Sequence, residues 1–159
     1  MLKNDYLDRL STRMAICELH LKRMIFAQKS IGNLFPLTVD SYRAMREEQV
    51  SFTDQLIYRF SKLQDTMGNK LFPLILEGLQ EDVENLPFID ILSKIEKLGL
   101  IESSNQWLTL REIRNVVTHE YPFQLDQLIE GLNQINEQIE VLIKIWDTLK
   151  NYSKQRFGV

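Results

Sequence analysis

The sequence predicts an all-α protein, an up-and-down bundle of four or five helices that forms one domain over residues 1–159. Helix breakers are scarce, with six glycines and four prolines in 159 residues. Hydrophobic residues make up 44% of the chain and recur at steps of three and four. No segment has the sustained apolar–polar alternation that is typical of a strand. A chain of this length can bury a hydrophobic core without disulfides or a metal ion.

The first predicted helix extends from about Asn4 to Ser30. Gly32 is expected to stop it, and Pro36 marks a break in the chain. Asp40 is expected to cap a short second helix through residue 47. One face of the first helix carries apolar side chains at helical spacing: Tyr6, Leu10, Met14, Cys17, Leu21, Met24 and Phe26.

Ser51 predicts the start of the next helix, because serine is a favoured N-cap and Asp54 would lie near the free amides of the first turn. Pro73 falls inside the apolar stripe of this helix, so we expect a kink or break between Gly68 and Pro73. The stripe consists of Phe52, Leu56, Phe60, Leu63, Met67, Leu71, Leu74 and Ile75.

Three further helices are predicted. Pro87 suits the first turn of the first of them, and Gly99 closes it. Ser103 or Ser104 can cap the next, which should end near Tyr121-Pro122 because the residue before a proline avoids the helical region. The apolar face of the last, long helix comprises Leu125, Leu128, Leu132, Ile135, Ile139, Leu142, Ile143, Trp146 and Leu149.

Composition and charge exclude several classes of protein. The formal net charge is −3, so bulk positive charge does not drive binding to nucleic acid. The single cysteine, Cys17, cannot form an intramolecular disulfide, which favours the cytoplasm as the compartment. Asp5 and Asp8 are unlike the apolar core of a signal peptide. No stretch approaches the roughly 18 apolar residues of a membrane span, so no membrane association is expected.

No pattern predicts a metal or cofactor site. One cysteine and two distant histidines offer no cluster at ligand spacing, and glycine-rich phosphate loops and nucleophile elbows are absent. Cys17 lies on the apolar stripe, so we expect a small buried hydrophobic residue rather than a nucleophile. His20 has no obvious carboxylate or cysteine partner, and we expect it to be partly exposed.

Residues 111–122 concentrate Arg, Asn, His and Tyr at the end of a predicted helix. Asn115 and His119 are four residues apart and would share a helix face. Arg114 would lie about 140° around the axis and about 7.5 Å along it from His119, and a long Arg side chain closes part of that angle. The end of the helix would leave Tyr121 at the rim.

This combination of residues suits metal-free cleavage of RNA. An imidazole exchanges protons near neutral pH, and a guanidinium binds phosphate and stays charged as negative charge develops. RNA supplies its own nucleophile, the 2′-hydroxyl, so Arg114 and His119 could suffice and would leave a 2′,3′-cyclic phosphate. Arg111 is a weaker candidate for an RNA contact. The structural alternative is that Arg and His near a helix C-terminus simply bind its free carbonyl groups.

The string Arg114-Asn115-x-x-x-His119-x-Tyr121 resembles the signature of the HEPN superfamily, in the form Arg-x4-His-x-Tyr that HepT-like toxins carry. Residues 54–65, DQLIYRFSKLQD, are similar to the early Arg-Phe segment of these proteins. HEPN domains are helical bundles of this size, with the motif on a late helix before a long final one. The resemblance therefore implies a HEPN-like fold.

The resemblance also implies a function: the toxin of a type VII-like toxin–antitoxin system, a metal-independent endoribonuclease that acts on tRNA or mRNA. Arg114 would hold phosphate, His119 would be the general acid and base, and Asn115 would orient the site at the cleft of a homodimer. A minimal nucleotidyltransferase antitoxin would silence the toxin by transferring AMP to Tyr121. Phosphate added at the rim would repel RNA and compete for Arg114.

Two other functions stay open. The same helical-bundle family includes non-catalytic, substrate-binding partner subunits of minimal nucleotidyltransferases, and these carry a very similar string. The remaining alternative is a structural helical protein without a site. A neighbouring small nucleotidyltransferase gene would favour the toxin or the partner subunit, and loss of toxicity in His119→Ala would separate those two.

Overall fold

The computed structural model describes residues 2–119 and 124–159, and all regular elements in that part of the chain are helical. The prediction of an all-α bundle is confirmed. The helices are α1 (Leu2–Ile31), α2 (Val39–Arg43), α3 (Glu47–Thr66), α4 (Phe72–Gly78), α5 (Phe88–Lys97), α6 (Ser104–Thr118) and α7 (Leu125–Phe157). A short 3-10 turn, Gly32–Leu34, follows α1 at the expected stop.

Neighbouring helices run antiparallel, as the up-and-down prediction requires. On α1 and α3, the ring of Phe26 packs edge-on against Phe52, whereas His20, earlier on α1, contacts Arg59, later on α3. On α3 and α6, Asp65 pairs with Arg114. The turn that follows α3 lies against the start of α6, so these two helices also run in opposite directions.

The core lies between α1, α3, α6 and α7. Its largest fully buried side chains include Trp107, Trp146, Phe60 and Phe72. The indole Nε1 of Trp146 donates to Oε2 of Glu18 at 2.9 Å, which satisfies its only polar group. Burial of these large rings supplies the dominant favourable term in the folding of such a bundle.

Cys17 is buried in this core and has an exposed fraction of 0%. Burial raises the pKa of its thiol to about 12, because the apolar surroundings disfavour the thiolate. The prediction that Cys17 is a small buried hydrophobic residue is confirmed.

A π turn, Met67–Leu71, joins α3 to α4 at the place where a kink was expected. Pro73 has no N–H and its ring crowds the carbonyl group four residues earlier, so a regular α-helix cannot continue through it. The wider π turn absorbs this conflict, and Pro73 then lies in the first turn of α4. Gly68, within the π turn, packs against Trp107, and a β-carbon there would lie 3.0 Å from the indole Cζ2.

Two predicted N-caps are wrong. Thr38, not Asp40, caps α2: its side chain accepts from the backbone N–H of Ser41, and the Ser41 hydroxyl accepts from the backbone N–H of Thr38. This reciprocal pair satisfies two otherwise free amides, whereas Asp40 lies inside the first turn. Ser51 lies within α3, where its hydroxyl donates to the carbonyl oxygen of Glu47.

Helix α3 begins at Glu47, four residues before the predicted start. The amide oxygen of Gln49 accepts from the backbone N–H of Arg46, and Glu47 and Glu48 favour the positive end of the helix dipole. These polar contacts stabilise a first turn that carries no apolar periodicity, so the sequence pattern did not indicate it.

The later boundaries lie close to the predicted ones, although Pro87 is the N-cap of α5 rather than a residue of its first turn. Gly99 adopts φ +73° just past α5, and the hydroxyl of Ser103 caps α6 by accepting from the N–H of Gln106 at 3.0 Å. Helix α6 ends at Thr118, and Tyr121 and Pro122, where its end was expected, lie outside the described residues. Among the helices of residues 2–119 and 124–159, none is long and apolar enough to cross a membrane.

Candidate functional site

A cleft of about 490 Å³ opens between α3 and α6, beside the start of α7. The α6 wall carries Arg114, Thr118 and His119. The α3 wall carries, among others, Asp54, Tyr58, Ser61, Lys62 and Asp65. The structure therefore brings the two main candidate residues, Arg114 and His119, to one concave surface.

The guanidinium of Arg114 is held from two sides. Its Nη2 donates to Oδ2 of Asp65 at 2.8 Å, and its Nη1 donates to Oδ1 of Asn115 at 3.2 Å. The side chains of Arg114 and Asp65 are 33% and 30% exposed, so the pair lies in the cleft wall and still meets solvent. Nε of Arg114 is buried and has no hydrogen-bond partner in the part of the chain that the structure describes. The remaining hydrogens on the two Nη atoms are available to an anion.

His119 is the C-cap of α6 rather than a helical residue. Its backbone is extended, with φ −70° and ψ 140°, and its side chain is exposed. The helical spacing between Asn115 and His119 therefore does not apply, because the chain leaves the helix after Thr118. The hydroxyl of Thr118 donates back to the carbonyl oxygen of Arg114 at 2.8 Å, the contact to the residue four positions earlier that a threonine side chain makes within a helix.

The other candidates occupy different places. Asn115 contacts the guanidinium of Arg114 directly, so it helps to orient that side chain. Arg111 lies outside the cleft lining, with its guanidinium 4.7 Å from the ring centroid of Phe88 on α5. Tyr121, the candidate for modification, lies outside the described residues.

Sequence analysis missed the α3 wall of the cleft. Asp54, Tyr58 and Lys62 follow one another at steps of four, and Asp65 comes three residues later, so all four side chains share a stripe along α3. This polar stripe with one aromatic residue at helical spacing is the sequence pattern that could have indicated the α3 wall. Such a stripe normally marks only a solvated face.

The prediction for His20 is wrong, because this side chain is buried and has a partner. Its exposed fraction is 9%, and its Nδ1 lies 3.0 Å from Nη1 of Arg59. A guanidinium can only donate, so Nδ1 of His20 accepts and the ring is neutral. Burial, and then the positive charges of Arg59 and Lys62, lower the pKa of His20 below its ordinary value.

The chemistry available in this cleft is anion binding and proton transfer. Arg114 supplies a fixed, permanently charged donor, and His119 supplies an imidazole, which can accept or donate a proton. Within residues 2–119 and 124–159, no three His, Cys, Asp or Glu side chains lie close enough together to hold a metal ion.

Comparison of the chain with protein-family models, with curated proteins and with solved structures finds no match.

Proposed function

We propose that this chain is the toxin of a toxin–antitoxin pair, a metal-independent endoribonuclease that cleaves tRNA or mRNA in the cytoplasm. Its catalytic residues are Arg114 and His119. The observation that carries the proposal is the shared cleft, in which an oriented guanidinium and a solvent-exposed imidazole line one concave surface.

In this mechanism Arg114 binds the scissile phosphate and His119 transfers protons. A neutral His119 takes the proton from the ribose 2′-hydroxyl, whose oxygen forms a bond to the adjacent phosphorus as the bond to the 5′-oxygen breaks. The leaving 5′-oxygen receives a proton from an imidazolium, and the products are a 2′,3′-cyclic phosphate and a 5′-hydroxyl. Arg114 stabilises the negative charge that develops on the phosphoryl oxygens.

A single imidazole cannot take the proton from the 2′-hydroxyl and give a proton to the leaving 5′-oxygen at the same instant. This need for two imidazoles is the chemical reason to propose a homodimer. A second copy related by a two-fold axis would supply the second His119, so that base and acid come from different protomers. A nucleotidyltransferase antitoxin would silence this cleft by transferring AMP to Tyr121, two residues beyond His119. The added phosphate would compete with RNA for Arg114.

The test is cleavage of total tRNA in EDTA by the wild type, Arg114→Ala and His119→Ala. Each substitution should lower the cleavage rate by about 10²-fold or more, because it removes transition-state stabilisation or proton transfer. Arg43→Ala, on the short helix α2 outside the cleft, is the matched control and should cleave like the wild type.

A second candidate, the non-catalytic partner subunit of a minimal nucleotidyltransferase, is favoured by one observation. Asp65 already neutralises Arg114, so the cleft carries less free positive charge than a strong phosphate site. If all preparations leave RNA intact, the mass of the peptide that contains Tyr121 decides between the two. Added AMP indicates a silenced toxin, whereas an unmodified tyrosine refutes the ribonuclease and favours the partner subunit.

A further inference from the structure

Tyr58 is an exposed aromatic residue inside the cleft. It is 51% exposed and lies on the α3 wall, opposite the end of α6. Exposed aromatic residues are common on protein surfaces and need no explanation when they stand alone. Tyr58 does not stand alone, because two cations flank its ring.

The guanidinium carbon of Arg59 lies 5.2 Å, and Nζ of Lys62 lies 5.8 Å, from the ring centroid of Tyr58. Lys62 lines the cleft and Arg59 lies just outside its lining, and neither cation forms an ion pair with a described carboxylate. Arg114, in contrast, is paired with Asp65. In a chain with a net charge of −3, two cations left without a carboxylate beside one aromatic ring favour an anionic ligand there.

One of the two cations is anchored and the other is not. Arg59 donates to Nδ1 of the buried His20, which fixes the guanidinium beside the ring. Lys62 is exposed and forms no ion pair with a carboxylate of the described residues, so its ammonium group can leave the Tyr58 ring and move to a phosphate. Asp54 lines the cleft one turn before Tyr58 and Lys62 lines it one turn after, so a phosphate is repelled from the Asp54 end and attracted toward Lys62.

The position of Tyr58 relative to the proposed catalytic pair follows from the antiparallel packing of α3 and α6. Arg114 pairs with Asp65, and the chain after Arg114 runs toward earlier residues of α3, so His119 lies on the side of Tyr58. Tyr58 is seven residues from Asp65, which is about 10.5 Å along the helix. A stacked strand rises about 3.4 Å per nucleotide. Tyr58 is therefore within reach of a base about three nucleotides from a phosphate held by Arg114.

We propose that Tyr58, Arg59 and Lys62 form a stacking subsite for an unpaired nucleotide of the RNA, next to the Arg114–His119 site. The mobile ammonium group of Lys62 moves from over the Tyr58 ring to the adjoining phosphate, the base stacks on the ring in its place, and Arg59 stays beside the ring as a second contact for that phosphate. Bases in a duplex are already stacked, so this subsite selects single-stranded segments, such as loops, with little preference among bases. The inference rests on the proposed ribonuclease function and adds the substrate class to it.

The test is the affinity of the full chain for a fluorescein-labelled, 2′-O-methyl oligoribonucleotide of mixed sequence, which cannot be cleaved through a 2′-hydroxyl. Anisotropy titrations should show about 5- to 150-fold weaker binding for Tyr58→Ala, because stacking on the ring is lost. Tyr58→Phe keeps the ring and should bind within about twofold of the wild type. Tyr58→Leu keeps apolar area without the ring and should bind as weakly as Tyr58→Ala.

The cation is tested by salt dependence. Lys62→Gln should reduce the slope of log K against log salt by about 0.7, the value for one phosphate contact on a single strand. Phe26→Ala, which removes a 56% exposed aromatic residue outside the cleft, and Lys144→Gln, on α7 outside the cleft, are the matched controls and should bind like the wild type. Far-UV circular dichroism checks that each variant is folded.

Three results overturn the proposal, and they differ in what they leave standing. If Tyr58→Ala and Tyr58→Leu bind like a wild type that still cleaves tRNA, the subsite is wrong and the ribonuclease function stands. If the wild type with an unmodified Tyr121 neither binds nor cleaves RNA, both the function and the subsite are wrong. The selection of unpaired bases would also be refuted if duplex RNA bound as tightly as the single strand and Tyr58→Ala weakened the binding of both RNAs by the same factor.

Discussion

Gly131 of α7 faces Val117 of α6 so closely that a methyl group does not fit between the helices. A β-carbon at residue 131 would lie 2.5 Å from Cγ1 of Val117 and 3.8 Å from its Cβ. Carbon atoms pack at about 3.5–4.0 Å, so Gly131→Ala requires the two helices to separate by about 1 Å or Val117 to change rotamer. A β-branched side chain in a helix has one strongly preferred rotamer, so neither adjustment is free.

Two opposing terms set the size of the effect. Overpacking a core costs about 1–3 kcal/mol, and Ala is favoured over Gly in a helix by about 1 kcal/mol. We therefore expect Gly131→Ala to lower the free energy of unfolding by up to about 2 kcal/mol, or about 4–8 °C in Tm for a domain of this length. In a Val117→Ala background the clash is gone, and the same substitution should be neutral or stabilising by up to about 1 kcal/mol.

The measurement is a double-mutant cycle by urea denaturation of the wild type, both single variants and the double variant. The expected coupling energy is about 1–3 kcal/mol, equal to the overpacking term. Gly32→Ala is the control, because the nearest atom to its β-carbon is the end of the flexible Gln28 side chain at 3.3 Å. If Gly131→Ala raises the free energy of unfolding by the same amount in the wild type and in the Val117→Ala protein, the coupling energy is zero. That result would refute the close contact between α6 and α7 at Gly131. Because Val117 lies two residues before His119 and lines the same cleft, the displaced helix should also slow the proposed RNA cleavage.

Three further predictions concern single residues. His20 faces Arg59, Lys62 and the Tyr58 ring, and its pKa is lowered in the folded protein. Because the unfolded chain therefore binds a proton more readily, the free energy of unfolding should keep its full value above pH 6.5 and fall as the pH drops below it. His20→Gln should flatten this part of the curve of unfolding free energy against pH, and parallel curves would contradict the assignment. Burial raises the pKa of the Cys17 thiol to about 12, so Ellman's reagent at pH 8 should label this cysteine only in denaturant. Rapid labelling of the folded protein would show an accessible thiol and contradict the burial of Cys17. Gly99→Ala should lower the free energy of unfolding in urea by about 1 kcal/mol, because a side chain is strained at φ +73°. Steric overlap does not contribute, since nothing lies within 4 Å of the added β-carbon. An unchanged denaturation midpoint would refute the left-handed backbone conformation at this residue.

The helices could be predicted from the sequence because their signals are local. Apolar residues at steps of three and four identified the buried faces of α1, α3 and α7, except that Phe26, assigned to the α1 face, is 56% exposed. Gly99 and Ser103 act through backbone atoms within a few residues. The predicted caps of α2 and α3 were wrong for an equally local reason. In α2, Thr38 precedes the predicted cap Asp40 by two residues and caps the helix because its side chain and that of Ser41 complete a reciprocal pair of hydrogen bonds. In α3, the contact of Gln49 with the backbone N–H of Arg46 starts the helix before the predicted cap Ser51.

The candidate site divides in the same way. Arg114, Asn115 and His119 lie within six consecutive residues, so the sequence by itself indicated a guanidinium, an amide and an imidazole near one helix end. It could not indicate Asp65, which is 49 residues from Arg114, or the pairing of His20 with Arg59, which are 39 residues apart. Helical periodicity says which residues share a face but not which other helix covers that face.

Sequence periodicity alone determined that this protein is a helical bundle with buried stripes, because 3.6 residues per turn is a property of the backbone. Tertiary structure alone decided that α3 forms the second wall of the cleft. It did so by packing α3 antiparallel to α6, which places Asp65 on Arg114 and brings Tyr58 to the side of His119. Contacts between residues this far apart in the chain form only when the helices pack, and the free energy of packing depends on the whole core rather than on any one segment.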